Sequence, residues 1–220
     1  MLEVVNLTKK FSRQEVLSQV SFTIAPDEIV GLIGSNGSGK TTLLNVITGM
    51  LAPSGGHFKI EEGVSLGMAI SRKGFFSDMS VANNLLMHAQ LIRRGRPEVD
   101  SAMEKLQIDF GGKMFGKLSA GMKQRVSLAV AWLRPYDLML LDEPTNHLDI
   151  NSIISLRMLI KEKSETGTSF LITSHVLTDL EKMCDRILFM KQGHLLGSFQ
   201  KSSLLEQYGN LEDAYLALGQ

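Results

Sequence analysis

The chain has 220 residues, of which 44% are hydrophobic, so it can bury the core of a single domain. Its 23 basic residues balance its 23 acidic residues without a polybasic tract, which argues against nucleic acid or an anionic membrane surface as a partner. The single Cys184 excludes an internal disulfide and a cysteine metal cluster. Residues 1–6 show no export signal and no apolar run is long enough to span a bilayer, so we expect a protein of the reducing cytoplasm.

The first part of the chain is predicted to be β-structure. Residues 2–7 and 20–24 alternate between apolar and polar side chains, as antiparallel strands with one exposed face do. The next apolar segment, residues 29–33, does not alternate, which is typical of a strand buried on both faces in a parallel sheet. We therefore expect N-terminal antiparallel strands followed by the first strand of a parallel sheet.

A glycine-rich loop follows the strand at 29–33 and leads into an apolar helical segment. It reads G-x-x-x-x-G-K-T, the pattern whose turned backbone points successive N–H groups at a polyphosphate. Lys40 adds positive charge for the β- and γ-phosphates, and the Thr41 hydroxyl can hold Mg²⁺. The alternative is a chance match in a glycine-rich turn, but the strand–loop–helix context favours a nucleotide site. The predicted site consists of Gly34, Ser35, Asn36, Gly37, Ser38, Gly39, Lys40, Thr41 and Thr42.

The pattern changes to helical in the middle of the chain. A break at residues 53–56 is followed by two short predicted strands, 57–60 and 64–70. From residue 80 to about 107 the apolar side chains repeat with the period of a helix. We interpret residues 71–118 as a helical insert in a single domain, 1–220, whose core comprises residues 1–70 and 119–220.

Strands and helices alternate again after the insert. Such alternation implies a doubly wound, mainly parallel sheet, so we expect an α/β fold with a P-loop NTPase core. In chain order we predict a helix from residue 119, a strand at 137–141, a helix near 150–163, a strand at 168–173, a short helix and a strand at 186–190.

Two adjacent carboxylates follow the apolar strand at 137–141. Neighbouring side chains on a strand point in different directions, so Asp142 and Glu143 can serve different purposes. We expect Asp142 to hold the Mg²⁺ that Thr41 contacts, and Glu143 to orient the attacking water in phosphoryl transfer. The alternative is an ordinary strand end with charged residues, and the phosphate loop upstream favours the functional interpretation.

Four further segments resemble motifs of the ATP-binding-cassette (ABC) ATPases and stand in the order of that family. Residues 118–125, LSAGMKQR, resemble its signature motif, and residues 142–149, DEPTNHLD, resemble its second carboxylate motif and D-loop. Residues 172–175, ITSH, resemble its switch-histidine strand, and residues 7–11, LTKKF, resemble its adenine-stacking opening. The resemblance covers essentially the whole chain and implies ATP and Mg²⁺ as ligands.

The resemblance also implies roles for single residues. Phe11 would stack on the purine with Val16 beside it, the alternative being a partly buried aromatic at a strand end. His175 would bond the γ-phosphate and place Glu143 and the water. Asp149 would reach across the interface of a dimer.

The signature segment would serve the nucleotide of the opposite subunit. A helix that begins at Ser119 presents a hydroxyl and free N–H groups to an anion, so Ser119, Ala120 and Gly121 would meet that γ-phosphate. The alternative for Ser119 is a plain N-cap, which does not account for the glycine and the polar residues after it.

Four positions depart from the family pattern. Ala120 and Met122 replace a glycine and a glutamine of the signature, and Phe11 replaces the commoner tyrosine. Ser71 stands where the family has a glutamine or glutamate that touches Mg²⁺, so we expect a weak metal contact there that runs through water. The residues needed for turnover are intact, namely Lys40, Asp142, Glu143 and His175, so the resemblance implies a competent ATPase.

The resemblance implies a subunit of a membrane transporter. Two copies, or one copy and a related subunit, would enclose two ATP molecules and drive separate membrane-spanning permease subunits at the cytoplasmic face of the membrane. Export is the expected direction, because residues 211–218 resemble the end of small exporter subunits and no extra regulatory domain follows. The alternatives are a soluble ABC ATPase that remodels a ribosome or another assembly, and a catalytically inactive regulatory cassette.

Overall fold

The computed structural model describes residues 1–69 and 74–218. The strands are β1 Leu2–Phe11, β2 Gln14–Ile24, β3 Ile29–Ile33, β4 Gly55–Ile60, β5 Leu66–Met68, β6 Leu138–Asp142, β7 Ser169–Ser174, β8 Arg186–Lys191 and β9 His194–Gln200. The helices are α1 Lys40–Ile47, α2 Val81–Leu91, α3 Arg96–Lys105, α4 Ala120–Ala131, α5 Ile150–Glu165, α6 Leu177–Met183, α7 Lys201–Tyr208 and α8 Leu211–Leu218, with a 3-10 turn at Phe115–Lys117 before α4.

The described strands form two sheets. The larger sheet has the order β5-β6-β7-β3-β8-β9, in which every neighbouring pair is parallel except β8 and β9. The smaller sheet has the order β2-β1-β4 and is antiparallel throughout. The predicted fold class is confirmed, with a mainly parallel sheet, antiparallel strands near the N-terminus and helices inserted between β5 and β6.

The central strands of the larger sheet are buried on both faces. In β3, Ile29 and Ile33 point into one hydrophobic cluster, and Val30 and Leu32 point into the other. The first cluster also contains the apolar sides of α4 and α5, whereas the second packs α1 against the antiparallel sheet. An apolar run without alternation therefore fits this position, because neither face of the strand meets water.

Short sequence signals set the starts of the helices. Ser80, Ser119 and Asp149 cap α2, α4 and α5 by accepting the backbone N–H three residues later. Gly95 is the N-cap of α3 and Pro97 lies in its first turn, where proline is favoured. The apolar sides of α2 and α3 join the same cluster as α4. No helix within residues 1–69 and 74–218 combines the length and the hydropathy that a membrane crossing needs.

The antiparallel strands extend further than the apolar alternation predicted. Strands β1 and β2 stay paired as far as Phe11 and Gln14, and an ion pair of 2.9 Å joins Lys10 to Glu15 across them. The predicted break at 53–56 includes the start of β4, where Gly56 has a φ of 70° and lies against the backbone of Asn6. A side chain at residue 56 would collide with that backbone, so a glycine here permits pairing instead of ending it.

Three C-terminal elements were not predicted. Strand β9 alternates between exposed and half-buried residues, and it contains Gly197, so its apolar pattern is weak. Helices α7 and α8 bury few side chains, with Leu204 buried in α7 and Leu211 and Ala214 in α8. The predicted strand at 64–70 is shorter in the structure, Leu66–Met68, and its last residue lies outside the described part of the chain.

Candidate functional site

The candidate site lies at the carboxyl ends of three neighbouring parallel strands, β6, β7 and β3. The glycine-rich loop follows β3, Glu143 follows β6, and His175 follows β7. Because the carboxyl ends of parallel strands share one edge of the sheet, segments that are distant in sequence meet there. Thr41 and Asp142, 101 positions apart, lie within hydrogen-bond distance of each other.

The glycine-rich loop connects β3 to α1 and needs glycine at its last position. Gly39 has a φ of 107°, and a Cβ there would lie 2.8 Å from the carbonyl oxygen of Val16. The first turn of α1 carries no acidic residue, so its free N–H groups and the helix dipole favour an anion. The loop therefore presents backbone donors at the site where a phosphate is predicted.

The loop lines an open cavity of about 220 Å³. Ser38 is 2% exposed, and its Oγ belongs to the few buried polar atoms of the described residues that have no hydrogen-bond partner. Leaving such a group without a partner costs about 1–3 kcal/mol. A phosphate oxygen or a water molecule in the cavity could accept a hydrogen bond from the Ser38 hydroxyl and remove this cost. The cavity is lined by Val16, Asn36, Gly37, Ser38, Gly39, Lys40, Thr41, Thr42 and Glu143.

Lys40 folds back over its own loop and is almost completely buried. Its Nζ donates to the carbonyl oxygens of Gly34 at 2.6 Å and Ser35 at 3.3 Å, and it forms an ion pair of 3.2 Å with Oε1 of Glu143. Three acceptors thus match the three donors of the ammonium group. The positive charge is held at the cavity, beside the start of α1.

Oxygen ligands suited to a magnesium ion lie beside this lysine. The Thr41 hydroxyl donates to Oδ2 of Asp142 at 2.7 Å, and the hydroxyl of Thr173 donates to Oδ1 of the same carboxylate at 2.6 Å. Mg²⁺ typically takes one or two protein oxygens and completes its shell with water and substrate phosphates, so Thr41 and Asp142 fit it. Such a site needs few protein ligands, and no group of three or more His, Cys, Asp and Glu with metal-binding geometry occurs among the described residues. The predicted contact at Ser71 lies outside them.

Glu143 is held on both oxygens of its carboxylate. Oε1 pairs with Lys40, whereas Oε2 lies 2.7 Å from Nδ1 of His175 and accepts the His175 backbone N–H at 3.3 Å. Its backbone N–H donates to the hydroxyl oxygen of Thr173 at 3.0 Å. The structure therefore brings together Lys40, Thr41, Asp142, Glu143 and His175, which the sequence analysis chose from three separate segments.

Thr173 is a site residue that the sequence analysis missed. It is fully buried, and its hydroxyl donates to Asp142 while accepting the backbone N–H of Glu143. The available signal was a polar residue in the apolar strand β7, two positions before His175. A buried hydroxyl in such a strand needs a partner, and here it has two.

The signature segment lies outside this cavity. Ser119 caps α4, and its Oγ accepts the backbone N–H of Met122 at 3.3 Å. Gly121 packs against the D-loop, since a Cβ there would lie 2.5 Å from the carbonyl oxygen of His147. Ser119, Ala120 and Gly121 are not among the described residues that line the cavity. A single chain therefore does not bring the signature segment to its own phosphate loop.

The remaining predicted residues are Val16, Phe11 and Asp149. Val16 lines the cavity, whereas Phe11 stands at the end of β1, 44% exposed, with Nζ of Lys9 5.0 Å from its ring centre. Asp149 accepts the backbone N–H and the hydroxyl of Ser152, each at 2.9 Å. The Ser152 backbone N–H is the main cause of the lowered pKa of Asp149, followed by the Ser152 hydroxyl. Asp149 is therefore an ionised cap on α5 within its own chain.

Comparison with known protein families places these segments in one family pattern. The family model described as "ABC transporter" matches residues 17–146, which include the phosphate loop, the signature segment and the Asp142-Glu143 pair. An uncharacterised ABC transporter ATP-binding protein of Bacillus subtilis, YybJ, is 34% identical over 206 residues, covering 89% of this chain and 94% of that protein.

Two further relatives carry names that mention a cargo. The bacitracin transport ATP-binding protein BcrA of Enterococcus faecalis is 33% identical, over 93% of this chain and 70% of its own length. The Nod factor export ATP-binding protein I of Rhizobium leguminosarum bv. viciae is 28% identical, over 94% of this chain and 71% of its own length.

Solved structures share the fold. One, described as the ATP-binding subunit of an ABC transporter, superposes with a TM-score of 0.88 at 24% identity, and the match covers 100% of both chains. Another is the ATP-binding cassette MJ0796, described as a dimer in a post-hydrolysis state bound to ADP and Pi. It superposes with a TM-score of 0.83 at 22% identity, over 91% of this chain and 99% of that chain.

Proposed function

Because this chain belongs to the ABC transporter family as an ATP-binding cassette, we propose that it powers export through separate membrane-spanning subunits. Membership of the family makes the chain an ABC ATPase. The observation that supports the proposed assignment of its site is the cluster of Lys40, Thr41, Asp142, Glu143 and His175 around one cavity.

In the proposed reaction the ATP phosphates bind to the N–H groups of the loop and to Lys40. Glu143 orients a water molecule and takes its proton as the water attacks the γ-phosphorus, and the bond from that phosphorus to the ADP oxygen breaks. His175 holds Oε2 of Glu143 and contacts the γ-phosphate. Thr41 and Asp142 would hold a Mg²⁺ ion, which would supply charge neutralisation at the phosphate oxygens. Phe11 and Val16 bind the adenine.

The proposed working unit is a dimer of two copies, or of one copy and a related subunit. Each phosphate loop faces the signature segment of the other chain, where Ser119, Ala120 and Gly121 reach the γ-phosphate, and Asp149 contributes to the interface. The separation of the signature segment from its own cavity supports this arrangement. A fold relative, MJ0796, is described as a dimer. ATP then favours the closed dimer, and hydrolysis removes the phosphate that both chains contact.

Export and attachment to the cytoplasmic face of a membrane are the further parts of the proposal. The relatives named for bacitracin transport and Nod factor export support transport by a chain of this kind. The names of the relatives described above give no support to the ribosome-remodelling alternative. In the proposal, separate permease subunits carry the substrate, and this chain reaches the membrane by binding them.

Fractionation of cells that produce the tagged protein tests this assignment. We expect the protein to sediment with membranes, to be released by alkaline washing as a peripheral subunit is, and to be purified from mild detergent with a multi-span protein. The Glu143→Gln variant serves as the control for dependence on turnover, and it should remain on the membranes. Sedimentation of the protein with ribosomes, with none on membranes, would contradict the transporter assignment.

A further inference from the structure

The signature helix α4 lies directly against the turn that follows β6. Gly121 approaches the carbonyl oxygen of His147 so closely that a Cβ would lie 2.5 Å from it. Gln124, three residues later and therefore on the same side of the helix, donates from Nε2 to the carbonyl oxygens of Pro144 at 3.2 Å and Glu143 at 3.4 Å. Two independent contacts thus join the start of α4 to the turn at residues 143–147.

Glu143 has a backbone conformation that its surroundings must maintain. Its φ of 48° lies in the left-handed region, which residues other than glycine adopt at a cost. On the amide side, its N–H bonds to Thr173 of β7. On the carbonyl side, its oxygen accepts the N–H of Asn146 at 3.2 Å and the amide of Gln124. The backbone of Glu143 is therefore held between β7 and α4.

The direction of the Glu143 carboxylate depends on that backbone. Its two oxygens contact Lys40 and His175, so a rotation of the backbone would move both contacts at once. A shift of about 1 Å in a reacting group can cost about a hundredfold in rate, so a contact that fixes this backbone bears directly on turnover.

We propose that Gln124 is a positioning residue for Glu143, acting within its own chain. This inference rests on the proposed function, because it takes Glu143 as the group that orients the attacking water. The N-terminus of α4 would serve the nucleotide of the other chain, whereas Gln124, one turn further along, fixes the Glu143 that serves the nucleotide of its own chain. Engagement of α4 at one nucleotide therefore influences hydrolysis at the other.

Three substitutions of Gln124 separate its donor group from its bulk. Gln124→Met keeps the length of the side chain but has no donor, Gln124→Glu keeps the shape but repels the carbonyl oxygens, and Gln124→Lys restores a donor. Gln207→Met, at an exposed glutamine of α7, is the matched control. The measurements are kcat and KM for ATP hydrolysis, the melting temperature and ATP-dependent dimer formation by gel filtration.

We expect Gln124→Met and Gln124→Glu to lower kcat about tenfold to a hundredfold, with KM unchanged within about twofold. Both variants should still dimerise with ATP, Gln124→Lys should recover most of the rate, and Gln207→Met should match the parent. Loss of ATP-dependent dimers in Gln124→Met would mean that the residue supports the contact between chains, and an unchanged kcat would mean that it does not position Glu143. Either result overturns the proposal.

A double variant distinguishes this inference from the proposed function. In a Glu143→Gln background, Gln124→Met should cause no further loss of rate, because the carboxylate that it positions is already absent. A further loss by the same factor would show that Gln124 acts independently and would refute the inference alone. If Glu143→Gln by itself turns over like the parent, the assignment of the base fails instead.

Discussion

Lys40 and Glu143 form an ion pair of 3.2 Å between Nζ and Oε1, across the cavity where the phosphates of ATP are proposed to bind. The lysine is 6% exposed and the carboxylate 18%, so water screens this pair only weakly. In the proposed reaction, the γ-phosphate of ATP would compete with Glu143 for the same ammonium group. The carboxylate would then be free to orient the water, so that substrate binding would prepare the base.

Replacing Glu143 with glutamine should separate ATP binding from hydrolysis. The variant loses the base and one negative charge beside the phosphates, so kcat should fall at least about a hundredfold while ATP binds as tightly as before or more tightly. The ATP-bound dimer should therefore accumulate. Turnover assays and gel filtration with and without ATP check this result. Lys40→Met is the contrasting variant, because it should lose the binding of ATP as well as its hydrolysis.

Replacing Thr173 with valine should impair the metal and the base together. Valine has nearly the same shape but no hydroxyl, so Asp142 loses a donor and the N–H of Glu143 loses an acceptor. We expect kcat to fall about tenfold and half-maximal activity to require more Mg²⁺.

Thr168→Val is the matched control for the Thr173 variant. Thr168 is also buried, and its hydroxyl donates to the carbonyl oxygen of Tyr136 at 2.9 Å. It directly precedes β7, so it lies at the end of that strand opposite to the site. The control should lose about 1 kcal/mol of unfolding free energy, and its half-maximal activity should require the same Mg²⁺ concentration as the parent. An equal effect of both variants on activity would show that Thr173 contributes only to stability.

Mixing two inactive variants tests whether each site is shared between chains. Lys40→Met disables the phosphate loop, and Ser119→Arg blocks the signature segment, so homodimers of either variant should be inactive. A mixed dimer contains one site with an intact Lys40 and an intact Ser119 from different chains. A one-to-one mixture should therefore recover about a quarter of the parental activity. If a single chain encloses its own nucleotide, mixing restores nothing.

A partly buried ion pair between Glu28 and Arg186 should make stability depend on pH. Burial opposes ionisation of Glu28, but the two hydrogen bonds from Arg186 and the N–H of Ala25 outweigh it, so the pKa of Glu28 lies below its ordinary value of 4.5. A carboxylate whose pKa is lower in the folded state adds stability that is complete above its unfolded pKa. This stability is lost as the pH falls through the folded pKa.

We therefore expect Glu28→Gln to cost about 2 kcal/mol of unfolding free energy near neutral pH and progressively less below pH 4.5. Urea unfolding of both proteins across this range measures the difference. Glu15→Gln is the control, because its ion pair with Lys10 lies at the surface and should change the unfolding midpoint far less. A constant difference between Glu28→Gln and the parent at every pH would contradict the expected linkage.

The sequence predicted the main architecture because the signals it used are local. An apolar run without alternation identified β3, the glycine-rich loop identified the turn into α1, and Ser119 marked the start of α4. Local sequence signals did not predict the strand ends that pair without an apolar pattern, as at the ends of β1 and β2. They also failed for β9, α7 and α8, where few side chains are buried.

The sequence by itself determined which chemical groups this protein carries at its site, because each motif is a short segment whose residue types bind phosphate, metal or water wherever the chain places them. Only the tertiary structure decided which groups meet. The parallel order of β6, β7 and β3 brings Thr41 to Asp142 and Lys40 to Glu143, and it gives Thr173 its two partners. The same packing places Gln124 against the carbonyl of Glu143, a contact that no sequence spacing specifies, because it depends on how a helix lies on a turn.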